Sequence, residues 1–117
     1  MAFLEGFYMK KENRVRKNQE FDEIISKRNV INVPGFCIYW NKNDLNNIKI
    51  GISVSKKIGN SVVRHKCKRQ INEMIRKICD LSDSYDIIII ARPKFLDQDF
   101  KTNYECLEKA YKIIKGK

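Results

Sequence analysis

The sequence predicts a single α+β domain: a sandwich in which one sheet of about four strands is backed by helices. Three observations carry that prediction. Ile48, Ile50, Ile52 and Val54 alternate strictly with Lys49, Gly51, Ser53 and Ser55, the period of a half-buried strand. Residues 85–91, YDIIIIA, are apolar on both faces, as an interior strand would be. Between them Val63, Cys67, Ile71, Met74, Ile75 and Ile78 recur at intervals of three and four, forming one stripe of a 3.6-residue helix. A length of 117 residues suits one compact domain and is too short for two.

The elements follow in order. Residues 1–8 fit nothing downstream and are expected to be a poorly ordered extension; Met9 opens a second plausible start, and the domain proper is assigned to residues 9–117. Lys10, Lys11, Arg14, Arg16 and Lys17 form a basic arm with too little apolar content to order itself. Asn18 can cap a short helix with Phe21, Ile24 and Ile25 on its inner face, and Asn29 is a reasonable stop. Val33-Pro34-Gly35 breaks the chain. Phe36 to Trp40 then reads as a strand, with Phe36, Ile38 and Trp40 on one face and Cys37 and Tyr39 on the other. A polar loop at 41–47 leads into the alternating strand at 48–54, and the two strands are expected to form a hairpin or meander. The second face of the alternating strand is small and polar, leaving room for something to lie against it. Gly59-Asn60-Ser61 is a turn with a helix cap at Asn60 or Ser61. After the long helix come a polar turn at 81–84 and the apolar strand, which Arg92-Pro93 ends. A final helix at 103–115 has Tyr104, Leu107, Tyr111 and Ile114 as its buried stripe. There are no internal repeats and no low-complexity linkers.

Net charge +10 and a pI near 9.6 point toward nucleic acid or an anionic membrane surface rather than a small anionic metabolite. No segment approaches ~20 apolar residues, so no membrane span is expected. The start MAFLEGF lacks a basic n-region, so a secretory signal is not expected and the cytoplasm is the expected location. Cys37, Cys67, Cys79 and Cys106 are widely spaced, with no C-x-x-C pair. Neither a zinc site nor a disulfide framework is expected, only free and mostly buried thiols.

The charge is concentrated. Residues 56–77 carry Lys56, Lys57, Arg64, Lys66, Lys68, Arg69, Arg76 and Lys77 against the single acid Glu73. Winding at ~100° per residue places Arg64, His65, Lys68, Arg69 and Arg76 on one arc beside the apolar stripe, with Asn72 among them and no carboxylate. Glu73 falls on the far flank with Lys66 and Lys77, where Glu73 and Lys77 form a favourable i,i+4 pair. Exposed helices ordinarily mix signs. An arc of one sign suits a polyanion, whose neutralisation releases counterions.

The sequence offers little for catalysis by its own side chains. The only histidine, His65, lies among cations rather than beside the carboxylate that would orient a general base. Asp80 and Asp83 flank a turn, Asp97 and Asp99 sit in a loop, and no metal-binding spacing or phosphate loop is present. Phe21 and Tyr39 admit two uses. Aromatics at such spacing most often fill a core, yet Tyr39 shares its face with Cys37, opposite the bulkier residues, where it could stack a single-stranded base.

The start KKENRVRKNQEF, the strand IGISVSKK running into GNSVVRHKCKR, and the later YDIIIIAR together resemble the protein subunit of bacterial ribonuclease P, from residue 9 to near residue 115. The resemblance implies an α+β sandwich with a left-handed crossover around the basic helix. It also implies an RNA partner that carries the active site and Mg²⁺, and a holoenzyme that cleaves precursor tRNA to free its mature 5′ end. On that resemblance the protein alone is inactive, has no metal site and no small-molecule cofactor of its own, and binds no membrane. Lys56, Lys57, Asn60, Arg64, Lys68 and Arg69 match the basic motif that lies against the catalytic RNA, and His65, Lys66 and Asn72 fall within it. Phe21 and Tyr39 match positions lining the groove for the 5′ leader, with Ile25 and Cys37 at neighbouring positions. The chain departs from the family in reading Arg64-His65-Lys66 where Arg-Asn-Arg is usual, and Asn72 where Arg is frequent. Lys66 keeps the charge but not the planar fork of arginine. A non-enzymatic RNA-binding module of ribosomal-protein type would account for the charge equally well.

Overall fold

The structure, a computed structural model, describes residues 18–80 and 82–117. The expectations for residues 1–17, the extension and the basic arm, lie outside these, as does Leu81 in the turn. The chain runs α1 (Asn18–Ser26), β1 (Val30–Val33), β2 (Phe36–Lys42), β3 (Lys49–Val54), α2 (Ser61–Ile78), β4 (Tyr85–Ala91), a short 3₁₀ turn (Pro93–Asp97) and α3 (Phe100–Lys115). The four strands form one sheet in the order β1-β2-β4-β3. Strands β1 and β2, and β2 and β4, pair antiparallel, whereas β3 and β4 pair parallel. The α+β sandwich and the crossover through the basic helix are therefore as expected.

The strand pairing corrects one expectation. β2 and β3 do not form a hairpin or meander, because β4 lies between them, with Ile38 opposite Ile89 on one side and Ile52 opposite Ile89 on the other. The reason is burial. A strand apolar on both faces gains most at the sheet's centre, and Ile87, Ile88 and Ile89 are each at most 2% exposed there. The hairpin that does form joins β1 to β2 through Pro34-Gly35, with Val33 opposite Phe36. Gly35 takes φ 91°, which strains any other residue, and a Cβ there would sit tightly at 3.1 Å from Gln98 Nε2 and 3.2 Å from Asn103 Oδ1. β1 itself was not foreseen: it is four residues long and half exposed, too short to show an alternation.

Two clusters lie on opposite faces of the sheet. The larger joins Phe36, Ile38, Trp40, Ile50, Ile87 and Ile89 to the inner stripes of α2 and α3. The smaller packs Ile24 of α1 on Ile88, with Phe21, Ile25, Tyr39 and Ile90 around them. α1 ends earlier than expected. Arg28 takes the left-handed conformation at φ 59°, with its N–H donating to the Ile25 carbonyl at 3.0 Å, and the Asn29 carbonyl already accepts from Trp40 N–H in the sheet. α3 begins three residues earlier than expected because Asp99 caps it, accepting from the Thr102 N–H at 2.8 Å. Its stripe is as expected except that Tyr104 is only half buried.

Candidate nucleic-acid interface

α2 positions the basic residues. Asn60 is its cap, the Oδ1 accepting from the Val63 N–H at 3.0 Å, which fixes where the helix starts and so which residues share a face. Cys67, Ile71, Met74 and Ile75 are buried, anchoring the helix beside β3 and against α3. With that stripe inward, His65, Lys66, Lys68 and Arg69 are exposed, as are Lys56 and Lys57 just before the cap; Arg64 and Asn72 are half buried. Among the described residues the ion pairs are Lys49–Glu20, Arg76–Glu73 and Lys115–Asp83. None involves Lys56, Lys57, Arg64, Lys66, Lys68 or Arg69, so the fold neutralises almost none of this surface. The exception corrects the sequence reading: Glu73 meets Arg76 at 3.2 Å rather than Lys77, so the end of the arc carries a carboxylate. Arg64 also has its Nε covered with no hydrogen-bond partner.

The second set of residues lies on the other side of the sheet. Phe21, Ile25 and Tyr39 come together, all half buried around Ile24 and Ile88. Cys37 is on the same face, paired across β2 and β4 with Ile90, but is only 6% exposed and presents almost no surface. Phe21 does more than fill the cluster. It lines an open groove of about 350 Å³ together with Asp22, Ile52, Ser53, Val54 and Lys68, so the first helix and the basic helix share a cleft across the edge of β3. Lys49 Nζ bridges to Glu20 Oε1 at 3.5 Å, tying α1 to that edge. Asp22 and Ser53 were not singled out in the sequence. Ser53 was legible only as part of a small, polar strand face, and nothing marked Asp22 among the acids of a short helix.

Among the described residues no three His, Cys, Asp or Glu side chains converge to hold a metal ion. All four cysteines are free; Cys37 and Cys67 are buried, whereas Cys79 and Cys106 are half buried, so the thiols are less uniformly buried than expected. No helix among the described residues is long and apolar enough to cross a membrane.

Comparisons with known proteins agree with this geometry. The ribonuclease P family profile matches residues 9–115. The ribonuclease P protein component of Mesoplasma florum is 47% identical over 103 residues, covering 86% of this chain and 94% of the relative. That of Clostridium novyi is 40% identical over 96 residues, covering 80% and 85%. Among solved structures, the Staphylococcus aureus RNase P protein superposes with a TM-score of 0.77 at 37% identity, covering 90% of this chain and 97% of that one. The Thermotoga maritima RNase P protein gives 0.73 at 28% identity, covering 83% and 93%. With its four-stranded mixed sheet, its unneutralised basic helix and a match over nearly its whole length, the chain belongs to the family of bacterial ribonuclease P protein components.

Proposed function

We propose that the protein binds the catalytic RNA of ribonuclease P and the 5′ leader of precursor tRNA, so that the RNA cleaves the phosphodiester that frees the mature 5′ end. The observation that carries this is the face of α2 on which Arg64, Lys68 and Arg69, with Lys56 and Lys57 before the cap, have no acidic partner among the described residues. A cation left unneutralised by its own protein is free to displace counterions from RNA phosphates, and the entropy of that release drives association. Arg64 and Arg69 can fork onto phosphate oxygens, whereas lysines act as point charges. On the other face, Phe21 and Tyr39 keep part of their rings exposed around Ile24 and Ile88, which suits stacking of unpaired leader bases.

The reaction is endonucleolytic, with its chemistry in the RNA subunit. One feature supports that assignment: His65 stands among cations rather than beside a carboxylate that would orient a general base. Mg²⁺ would be held by the RNA, and the protein's part is to neutralise phosphate and hold the substrate. A protein with these partners works in the bacterial cytoplasm. Membership of the family favours this over a ribosomal-type module.

Reconstitution with a bacterial ribonuclease P RNA tests the reading. At low Mg²⁺ the protein should restore cleavage of precursor tRNA, show none alone, and tolerate His65→Ala within a few-fold. A loss of about a thousandfold in His65→Ala, the size expected on removing a positioned acid or base, would move chemistry into the protein and contradict the assignment.

A further inference from the structure

Where the first turns of α2 face the segment between β4 and α3, they enclose a second cleft, of about 480 Å³. Val62, Lys66 and Gln70 line it from the helix, and Leu96 and Phe100 from the segment opposite. Six large hydrophobic side chains are exposed among the described residues, and three of them, Val62, Leu96 and Phe100, meet here. Single exposed apolar side chains are ordinary, whereas a group of them around one concave surface marks a contact site. The far wall is held in place. Phe100 stacks on Tyr104 along α3, with ring centroids 6.4 Å apart at 27°. Asp99, on the same wall, keeps its carboxylate on the Thr102 N–H at 2.8 Å as the cap of α3.

The cleft and the groove beside β3 lie on different flanks of α2. Lys66 lines the cleft and Lys68 the groove, and residues two apart on a helix point ~200° apart. The outward cations of α2 run between them, so RNA laid along that face passes the mouth of the cleft. Lys66 has no ion pair among the described residues. An occupant has to match a fixed ring, aliphatic walls and a cation at the rim. An unstacked nucleotide does so, with a flat base for the ring and a phosphate for the cation. Gln70, whose amide makes no hydrogen bond among the described residues, can donate to or accept from the edge of that base.

We propose that this cleft receives one unpaired base of the catalytic RNA, stacked on Phe100 between Val62 and Leu96, with Lys66 on its phosphate. The inference rests on the RNA-binding reading of α2 above and adds an anchor made by apolar contact, across the helix from the substrate's groove.

The test is binding of the full chain to a bacterial ribonuclease P RNA over a range of salt, with chemical footprinting of the RNA's base edges. Phe100→Ala should weaken binding on the order of tenfold, the size of one lost stack, and leave the slope of log K against log salt unchanged. Lys66→Gln should instead make that slope shallower by ~0.7–0.9. One unpaired base that wild type protects should become reactive in Phe100→Ala. Leu96→Ser lies on a separate segment and is exposed, so it should give the same loss and the same footprint even if Phe100→Ala loosens α3. Wild-type affinity and footprint in folded Phe100→Ala and Leu96→Ser overturn the inference alone. A loss confined to leader-bearing precursor tRNA, or to self-association in sedimentation, also overturns it, by giving the cleft to substrate or to a second copy of the chain. Unchanged affinity in Arg64→Ala with Arg69→Ala overturns the RNA-binding reading of α2 and the inference with it.

Discussion

Cys79, at the end of α2, sits in a small polar cluster that ties that helix to α3. The Tyr111 hydroxyl donates to Asp83, Lys115 Nζ lies 3.2 Å from the same carboxylate, and the Asp80 N–H donates to the Tyr111 oxygen at 3.4 Å. Burial, with Asp83 adding to it, pushes the Cys79 thiol from its ordinary 9.0 up to about 12. Burial and the bond to Asp83 likewise raise the Tyr111 hydroxyl above its ordinary range. A raised folded pKa means the unfolded chain releases its proton first. The contribution of Cys79 to stability is therefore full below pH 9.0 and is lost as pH rises toward about 12. The stability of wild type relative to Cys79→Ala, measured by urea unfolding, should fall across that window, and a difference independent of pH would contradict the assignment. The sequence showed Tyr111 as part of an apolar stripe but not its hydroxyl's partner, because periodicity reports a face and not what stands opposite. Asn103 escaped for the same reason. It is 1% exposed, yet its amide is satisfied by the Phe95 carbonyl at 3.1 Å and by Gln98 Nε2 at 2.6 Å, with both partners in or beside a 3₁₀ segment that no pattern marked.

At the scale of elements, the strongly periodic segments were legible and their partners were not. The alternation at 48–54, the apolar run of β4 and the stripe of α2 each locate an element, since each is a one-dimensional record of burial. Strand order is not recorded that way. Proximity in sequence suggested that β2 pairs with β3, whereas the demand to bury both faces of β4 places it between them. The cap of α2 is the local device on which the interface depends, because it sets the rotation of every cation on the helix. Asn60→Ala should cost ~1 kcal/mol of stability through removal of the bond to Val63 N–H, and Asn60→Ser should restore most of it. Equal destabilisation of the two variants would show that Asn60 acts by something other than capping.

The whole molecule divides its labour between the two sides of one sheet. α2 and α3 cover one face with the main core and leave the cations of α2 outward, while α1 covers the other with a thin layer in which Phe21, Ile25 and Tyr39 are half exposed. The groove lined by Phe21 and Lys68 joins the two sides at the β3 edge. The exposed, one-signed face of α2 was legible from charge and spacing, because helical periodicity fixes which residues share a face. The groove was not, since it exists only where α1, β3 and α2 meet. On the function proposed above, α2 holds the catalytic RNA through its phosphates, using cations that have no ion pair among the described residues. The most direct measurement is the salt dependence of binding to that RNA, wild type against Arg64→Ala with Arg69→Ala. The slope of log K against log salt should be shallower in the double variant by ~0.7–0.9 for each phosphate no longer neutralised, with the fold intact by circular dichroism. An unchanged slope in a folded double variant would contradict the claim.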